Sequence, residues 1–316
     1  MTVGVRTMPL VSVIMPTYRR DETLQRAIGS VLGQTYRNLE LVVVNDNGDD
    51  GRFAPIVRDI VDSFAKSDDR VRLLEPSAHK NGAFARNRGA EISSGELIAF
   101  LDDDDWWEPE KIERQVEAFA GLSDEWGVVS CRVRRYRGDK LISILPKHPD
   151  GHVYKDVMLI VSDFPTGTLM VRRSLFEEVG GFDEGLIRHQ DLQLLIRLTY
   201  SKKLFQLDEP LHCCDVGDAQ NRLGPEGLIK AKRALFGSVA DVFGSLRPSE
   251  KRAVSAAQRA EVGRIRMKSG ERLKGAIDIL GLLFAPEALR KTVGKTLLRA
   301  HGNREARKAR KAGDAS

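Results

Sequence analysis

The chain reads as an α/β protein, an open and mostly parallel sheet flanked by helices, with a helical, basic C-terminal extension. Three observations predict this. Apolar runs alternate with helix-period stripes through the first hundred residues, a rhythm that calls for parallel strands joined by crossover helices. Polar, turn-rich loops follow three of those runs, at residues 16–20, 45–50 and 102–105, where such sheets hold their ligands. Charge is also unevenly divided. Residues 225–316 hold 21 Lys and Arg against 9 Asp and Glu, a net +12, which leaves −7 for residues 1–224 out of the overall +5.

The elements follow in order. Val11-Ser12-Val13-Ile14-Met15 is a β-rich run closed by Pro16, and Leu24, Ile28, Val31 and Leu32 make the apolar stripe of a first helix. Glu40-Leu41-Val42-Val43-Val44 is apolar almost throughout, as a strand covered on both faces should be. A helix over residues 53–66, a strand over 71–75 and a helix over 83–93 lead to the strand Glu96-Leu97-Ile98-Ala99-Phe100-Leu101. Pro109 suits the first turn of the next helix, Ile112, Val116 and Phe119 form its buried stripe, and Gly121 ends it. Residues 123–224 mix short strands (128–134, 141–145, 168–171) with a helix starting near Gln190-Asp191, whose inner face is Leu192, Leu195, Ile196 and Thr199. From residue 225 the pattern is helical, with Ile229, Phe236, Val239 and Phe243 on one stripe and a strongly basic region after Pro248. The expected division is a body over 1–224, a helical extension over 225–302 and a basic tail over 303–316 without stable structure.

At 316 residues with 41% hydrophobic and 30% charged residues, the chain suits a soluble protein with a substantial core. Cys131, Cys213 and Cys214 make no disulfide framework and suit a reducing compartment. His212-Cys213-Cys214-Asp215 lacks the cysteine spacing of a structural zinc site. The first eight residues contain no apolar segment of the secretory kind. The late apolar stretch 277–285 is interrupted by Asp278 and is too short to span a bilayer.

The chemistry concentrates in Asp102-Asp103-Asp104-Asp105, four adjacent carboxylates at the end of an apolar strand. Like charges so placed repel, and a hard divalent cation, Mg²⁺ or Mn²⁺, relieves the repulsion while recruiting phosphate oxygens. In an extended segment Asp102 and Asp104 face one side, Asp103 and Asp105 the other.

Five blocks in order resemble the family-2 inverting glycosyltransferases of the GT-A nucleotide-sugar fold. They are Ser12-Val13-Ile14-Met15-Pro16-Thr17-Tyr18; Ser30-Val31-Leu32-Gly33-Gln34-Thr35-Tyr36 leading to Val44-Asn45-Asp46; Asn81-Gly82-Ala83-Phe84-Ala85-Arg86-Asn87-Arg88-Gly89; Phe100-Leu101 with the acidic run and Trp106; and Arg173-Ser174-Leu175-Phe176-Glu177-Glu178-Val179-Gly180-Gly181-Phe182-Asp183-Glu184 ahead of Gln190-Asp191. The likeness covers about residues 10–215. It implies a nucleotide-sugar site built from Pro16, Tyr18, Asp46, Asn81, Arg86, Asp102 and Asp103, with Asp104 on Mn²⁺ or Mg²⁺ and Asp191 as catalytic base. Tyr18 offers an aromatic face to a base or ribose, Asp46 an acceptor for uracil N–H or ribose hydroxyls, and Arg86 a planar cation for phosphate. Asp105 is left to cap the following helix or hold the loop. Asp191 would take the acceptor hydroxyl's proton as the sugar is displaced with inversion.

The chain departs from the family after Glu209-Pro210-Leu211, where a diphosphate-binding Arg or His is common; His212 and Arg222 are the candidates here. The resemblance also implies a UDP-linked donor, a polysaccharide, glycolipid or glycoprotein acceptor, and cell-envelope polysaccharide synthesis from the cytoplasm. The C-terminal stripes Leu273, Ile277, Leu280, Phe284 and Leu289, Val293, Leu297, flanked by Lys274, Arg290, Lys291, Lys295 and Arg299, fit two roles. They either pack on the body or contact the anionic inner face of the plasma membrane peripherally. Nucleic acid is not expected, since no aromatics interleave with the basic residues. A nucleotidyltransferase would want a Gly-rich phosphate loop that the first strand lacks. A non-catalytic glycosyltransferase-like assembly or binding protein, docked at a membrane by its basic helices, is the alternative from another class.

Overall fold

The computed structural model of the chain describes residues 8–216 and 223–313. Its first half follows the alternating rhythm. Strand β1 (Val11–Thr17), helix α1 (Leu24–Leu32), β2 (Leu39–Asn45), α2 (Phe53–Ala65), β3 (Val71–Leu74), α3 (Gly82–Ile92) and β4 (Leu97–Phe100) come in succession. Parallel pairing of β1 with β2 and β4, and of β2 with β3, builds one half of the sheet. β2 is buried at all seven positions and β4 at all four, as their unbroken apolar runs require. Pro16 does not close the first strand. It pairs with Val44, and Thr17 with Asn45, because a proline loses only its N–H donor and keeps a backbone a strand accepts.

The second half departs from all-parallel order. A short β5 (Asp105–Trp107) leads to α4 (Lys111–Gly121), then to the hairpin β6 (Trp126–Arg137) and β7 (Lys140–Ile144). Next come α5 (Tyr154–Met158), a 3-10 turn at Thr166–Thr168, β8 (Met170–Arg172), α6 (Arg173–Glu178), α7 (Gln190–Ser201) and the long β9 (Lys203–Asp215). The strand order is β3-β2-β1-β4-β8-β6-β9-β5, with β7 beside β6. β8 runs antiparallel to both β4 and β6, and β5 antiparallel to β9.

Two apolar clusters cover the two faces. One gathers Ile14, Val42, Phe100 and Val171 with α3 and α7; the other gathers Val13, Leu41 and Val43 with α1, α2 and α4. Gly89 of α3 makes the first possible, since a Cβ there would lie 2.5 Å from an Ile14 methyl.

The extension comprises α8 (Pro225–Ser238), α9 (Ala240–Ser245), α10 (Pro248–Lys268), α11 (Arg272–Leu280), a 3-10 turn at Gly281–Phe284 and α12 (Pro286–Gly313). α8 turns Leu228, Lys232 and Leu235 inward, beside the expected stripe, of which Val239 is fully buried and Phe236 and Phe243 pack on the core. α10 and α11 cross with backbones touching, because Gly263 and Gly275 face each other and a Cβ on either would meet the other's carbonyl oxygen within 2.7 Å. The expectation that residues 303–316 lack structure is overturned for 303–313, which continue α12; 314–316 lie outside the described residues. The cause is tertiary contact. Ala306 is fully buried, Glu305 pairs with Arg132, and Gly302 lies where a Cβ would collide with the Ile144 carbonyl.

Candidate active site

The register of β1, β2 and β4 brings the three polar loops to one edge of the sheet, since Thr17 pairs with Asn45 and Ile14 with Phe100. On the first loop, Tyr18 stacks on His79 with ring centroids 3.8 Å apart and planes 14° apart. Asp46 lies beneath, 2% exposed. Its Oδ1 accepts the Lys80 amide at 3.2 Å, and His79 Nδ1 lies 3.0 Å from its Oδ2 and 2.9 Å from its carbonyl oxygen. Both oxygens are acceptors, so Nδ1 holds the proton. Burial pushes the Asp46 carboxyl up, against the pull of the Lys80 amide and His79. Asp46 thus fixes the His79–Lys80 loop and is covered by it. Sequence reasoning missed His79, whose neighbours carry no motif.

The acidic run is not the extended segment that strand alternation assumes: it turns at Asp103-Asp104, and the Asp105 amide donates to the Asp102 carbonyl at 3.2 Å. Asp103 is buried, with burial pushing its carboxyl up to about 7, Asp104 and Asp102 adding to that, and Thr17 and Arg20 opposing it. Arg20 spans it and its neighbour, with Nε 3.9 Å from Asp103 Oδ1 and Nη2 2.9 Å from Asp104 Oδ2. Asp102 pairs with Arg86. The Asp104 carboxyl is raised by burial and by Asp105 and Asp102; Arg20 Nη2 donates to it at 2.9 Å. Arg26 donates to the Asp104 carbonyl at 2.9 Å while lying 3.9 Å over Trp106. Crowded oxygen donors with raised carboxyls, one already drawing in an arginine, fit a hard divalent cation.

Asp105 caps no helix. It sits in β5 opposite Cys214, because β9 runs antiparallel alongside, and its Oδ2 is 3.1 Å from His212 Nε2. His212 is fully buried on Gly167 and does not reach toward a diphosphate; Arg222 lies outside the described residues. Asp105, His212 and Cys214 come within 4.8 Å of one another, a grouping hidden from the linear spacing. Burial pushes the Cys214 thiol up to about 12, with Asp105 adding to it, which keeps it protonated.

Asp191 occupies the first turn of α7, exposed, and makes no hydrogen bond or ion pair to another described residue. It is not the helix cap: His189 holds that position, at a left-handed φ of 64°. A non-glycine residue there is uncommon and fixes the angle at which α7 enters.

The loop before α7 is clamped by α3. Asn87 Oδ1 accepts the Phe182 amide at 3.0 Å and its Nδ2 donates to the Phe182 carbonyl at 2.9 Å. Asn81 caps α3 by accepting the Phe84 amide at 3.0 Å and donates to the Glu184 carbonyl at 2.9 Å. Asn81 thereby ties the start of α3 to the loop before α7. Gly180 and Gly181, at φ 80° and 65°, allow the turn to lie against Asn87 and Phe176. Arg86 joins the two halves. It pairs with Asp102 and lies 5.5 Å over Phe182, and a Cβ on Gly82 would meet its Nη1 at 2.8 Å and Gln190 Oε1 at 3.8 Å. Asp102 and Phe182 of the loop before α7 therefore share one arginine. Asn87 was passed over in the sequence because no local pattern reveals a bond spanning 95 residues.

A mixed α/β sheet flanked by helices, with its polar loops gathered at the carboxyl ends of the parallel strands, is the arrangement of the GT-A class of fold. Structures of that class overlay the chain. The Staphylococcus aureus TarS fragment in complex with UDP-GlcNAc aligns at a TM-score of 0.63 with 15% identity, over 96% of this chain and 92% of that one. The Pyrobaculum calidifontis mannosyltransferase PcManGT, in complex with GDP-Man and Mn²⁺, aligns at 0.57 with 18% identity, over 92% and 81%.

The chain belongs to glycosyl transferase family 2, whose profile matches residues 12–180. The Erwinia amylovora amylovoran biosynthesis glycosyltransferase AmsB is 28% identical over 192 residues, covering 59% of this chain and 62% of its own length. The Escherichia coli UDP-Glc:α-D-GlcNAc-diphosphoundecaprenol β-1,3-glucosyltransferase WfgD is 44% identical over 107 residues, covering 34% and 40%. The match spans 62% of AmsB and 40% of WfgD, and as little as 30% of other curated relatives. No helix among the described residues is long and apolar enough to cross a membrane.

Proposed function

We propose that the protein transfers a sugar from a UDP-linked donor to a hydroxyl of a saccharide acceptor, with inversion, in the synthesis of a cell-envelope polysaccharide. The observation that carries this is Asp191: an exposed carboxylate without a partner among the described residues, on a helix whose entry is locked by Asn81, Asn87 and His189. A structural carboxylate at a helix start would cap it; this one is left open to accept a proton within reach of an incoming hydroxyl. It also favours catalysis over the reading of a degenerate, non-catalytic body.

The Tyr18–His79 stack, with Asp46 beneath it, would form the nucleoside side of the crevice. Arg20 and Arg86 supply planar cations for the diphosphate. Asp104, with Asp102 beside it, would hold Mn²⁺ or Mg²⁺, which when bound neutralises the departing nucleoside diphosphate. With Asp102 so engaged, Arg86 is freed toward phosphate while staying anchored over Phe182. Buried Asp103 and the Asp105–His212 contact keep the loop in place. A lipid-linked saccharide at the inner face of the plasma membrane is the acceptor class we favour, WfgD and AmsB being relatives that build such products or polysaccharides.

The test is nucleotide release from a panel of UDP-, GDP- and CMP-sugars with Mn²⁺ and saccharide acceptors, with the anomeric configuration of the product read by NMR. The proposal expects acceptor-dependent release and an inverted linkage. Retention of configuration, or turnover of GDP- or CMP-sugars alone, would refute it.

A further inference from the structure

Helix α11 and the turn after it wear their apolar side chains on the outside. Of the fourteen large apolar residues exposed among the described residues, nine fall between Met267 and Leu298. Leu273 is 77% exposed, Ile277 61%, Leu280 55% and Phe284 87%, spaced four, three and four residues apart. That spacing is one continuous stripe, and it faces away from the core. The reason is the Gly263–Gly275 crossing, which presses the small-residue face of α11 onto α10 and leaves the leucine stripe outward. Val293 and Leu297 add a second exposed pair on α12.

The charges around it are of one sign. Between residues 264 and 308 the exposed charged residues are Arg264, Lys268, Arg272, Lys274, Arg290, Arg299, Arg304, Arg307 and Lys308. Every carboxylate in that stretch is at least partly withdrawn and pairs with a basic group: Asp278 with Arg266 at 2.7 Å, Glu287 with Lys291 at 3.9 Å, Glu305 with Arg132, and Glu271 with Lys274 at 3.5 Å. An apolar stripe ringed by an excess of exposed cations matches a surface that is apolar within and anionic at its edge. A second copy of this chain is disfavoured, because a symmetric contact would set these cations against each other.

We infer that α11, the turn Gly281–Phe284 and α12 form a docking surface for an anionic lipid bilayer. Leu273, Ile277, Leu280 and Phe284 enter the interface, and the surrounding Arg and Lys side chains meet lipid phosphates. The surface is coupled to the catalytic body. α12 is held by Lys291 on Asp156, Lys295 on the Ile160 carbonyl and Arg299 near Asp163. α5, which includes Asp156, packs on α7, the helix bearing Asp191. Docking would therefore orient the crevice toward an acceptor anchored in the bilayer. This orienting role rests on the transferase reading; the docking does not.

The full chain is sedimented with vesicles of phosphatidylcholine alone or with phosphatidylglycerol, at low and high salt, with no donor present. Binding is expected to the phosphatidylglycerol vesicles, weakening as salt rises. Arg272→Gln with Lys274→Gln should weaken it roughly tenfold or more. Ile277→Asp with Phe284→Asp should abolish it, and Phe284→Trp should blue-shift in fluorescence on anionic vesicles. All these positions are exposed, so an unchanged melting temperature certifies the fold. Failure of the wild type to bind anionic vesicles, or full binding by the double Asp variant, would overturn the inference. So would a concentration-dependent dimer, seen by light scattering, that Ile277→Asp dissolves. UDP release with a water-soluble acceptor is measured in parallel: its loss in wild type would sink the transferase reading and leave vesicle binding standing.

Discussion

The parallel half of the sheet and the C-terminal extension invert each other. In the first, α1 buries Leu24, Ile28 and Val31 completely, while the polar loops at the sheet edge keep Asp102 and Asp104 within reach of solvent. In the second, α11 exposes its apolar stripe and the carboxylates turn toward basic partners. Both stripes have the same periodicity, so periodicity establishes a helix without saying which face is wet. The neighbour decides: α1 lies on an apolar sheet, whereas α11 meets α10 through two glycines.

The largest effect that would break this contrast is a charge placed in each stripe. Ile28→Asp should cost more than about 4 kcal/mol and leave little folded protein. Ile277→Asp should shift stability by no more than about 0.5 kcal/mol, as at an ordinary surface position. Denaturant titration reads both, and equal losses would mean α11 is buried. Next is Asp104→Asn, expected to lower kcat/KM about 10²–10³-fold and to remove any Mn²⁺-dependent rise in melting temperature with UDP.

The third concerns the seam between the regions. Burial pushes His148 down to about 4, with Lys295 and Arg299 adding and Asp163 and Asp156 opposing. Its Nε2 accepts the Asp163 amide at 3.2 Å, which a protonated ring could not do. The folded state thus binds its proton later than the unfolded chain, whose histidine titrates near 6.5. Stability from this site is present above pH 6.5 and falls as pH drops toward 4, by up to about 3 kcal/mol. Thermal melts from pH 7 to 4 should show the slope in wild type and a reduced slope in His148→Gln. The smallest effect is Asn87→Ala. Loosening the loop before α7 should lower kcat about tenfold with little change in donor affinity.

Much of this was legible in the chain. The rhythm of β1 to β4 and the convergence of their loops followed from apolar runs and turn residues, because parallel pairing leaves strand ends little freedom. What stayed hidden depends on contacts between distant segments. Asn81 looks only like a nucleotide-facing amide, and Asn87 like nothing in particular, until the Phe182–Glu184 loop arrives to bond both. Asp105 looks like a cap until β9 brings His212 beside it. The end of α12 reads as a charged tail, since its anchors are Arg132 and the Ile144 carbonyl, more than 150 residues away.

The central claim is that Asp191 serves the acceptor and not the fold or the donor. It is tested most directly by measuring UDP-sugar affinity, melting temperature and transfer rate side by side in wild type and Asp191→Asn. The account predicts unchanged affinity and melting temperature with transfer lowered by about 10²–10⁴-fold. An Asn variant that transfers sugar at the wild-type rate would contradict it.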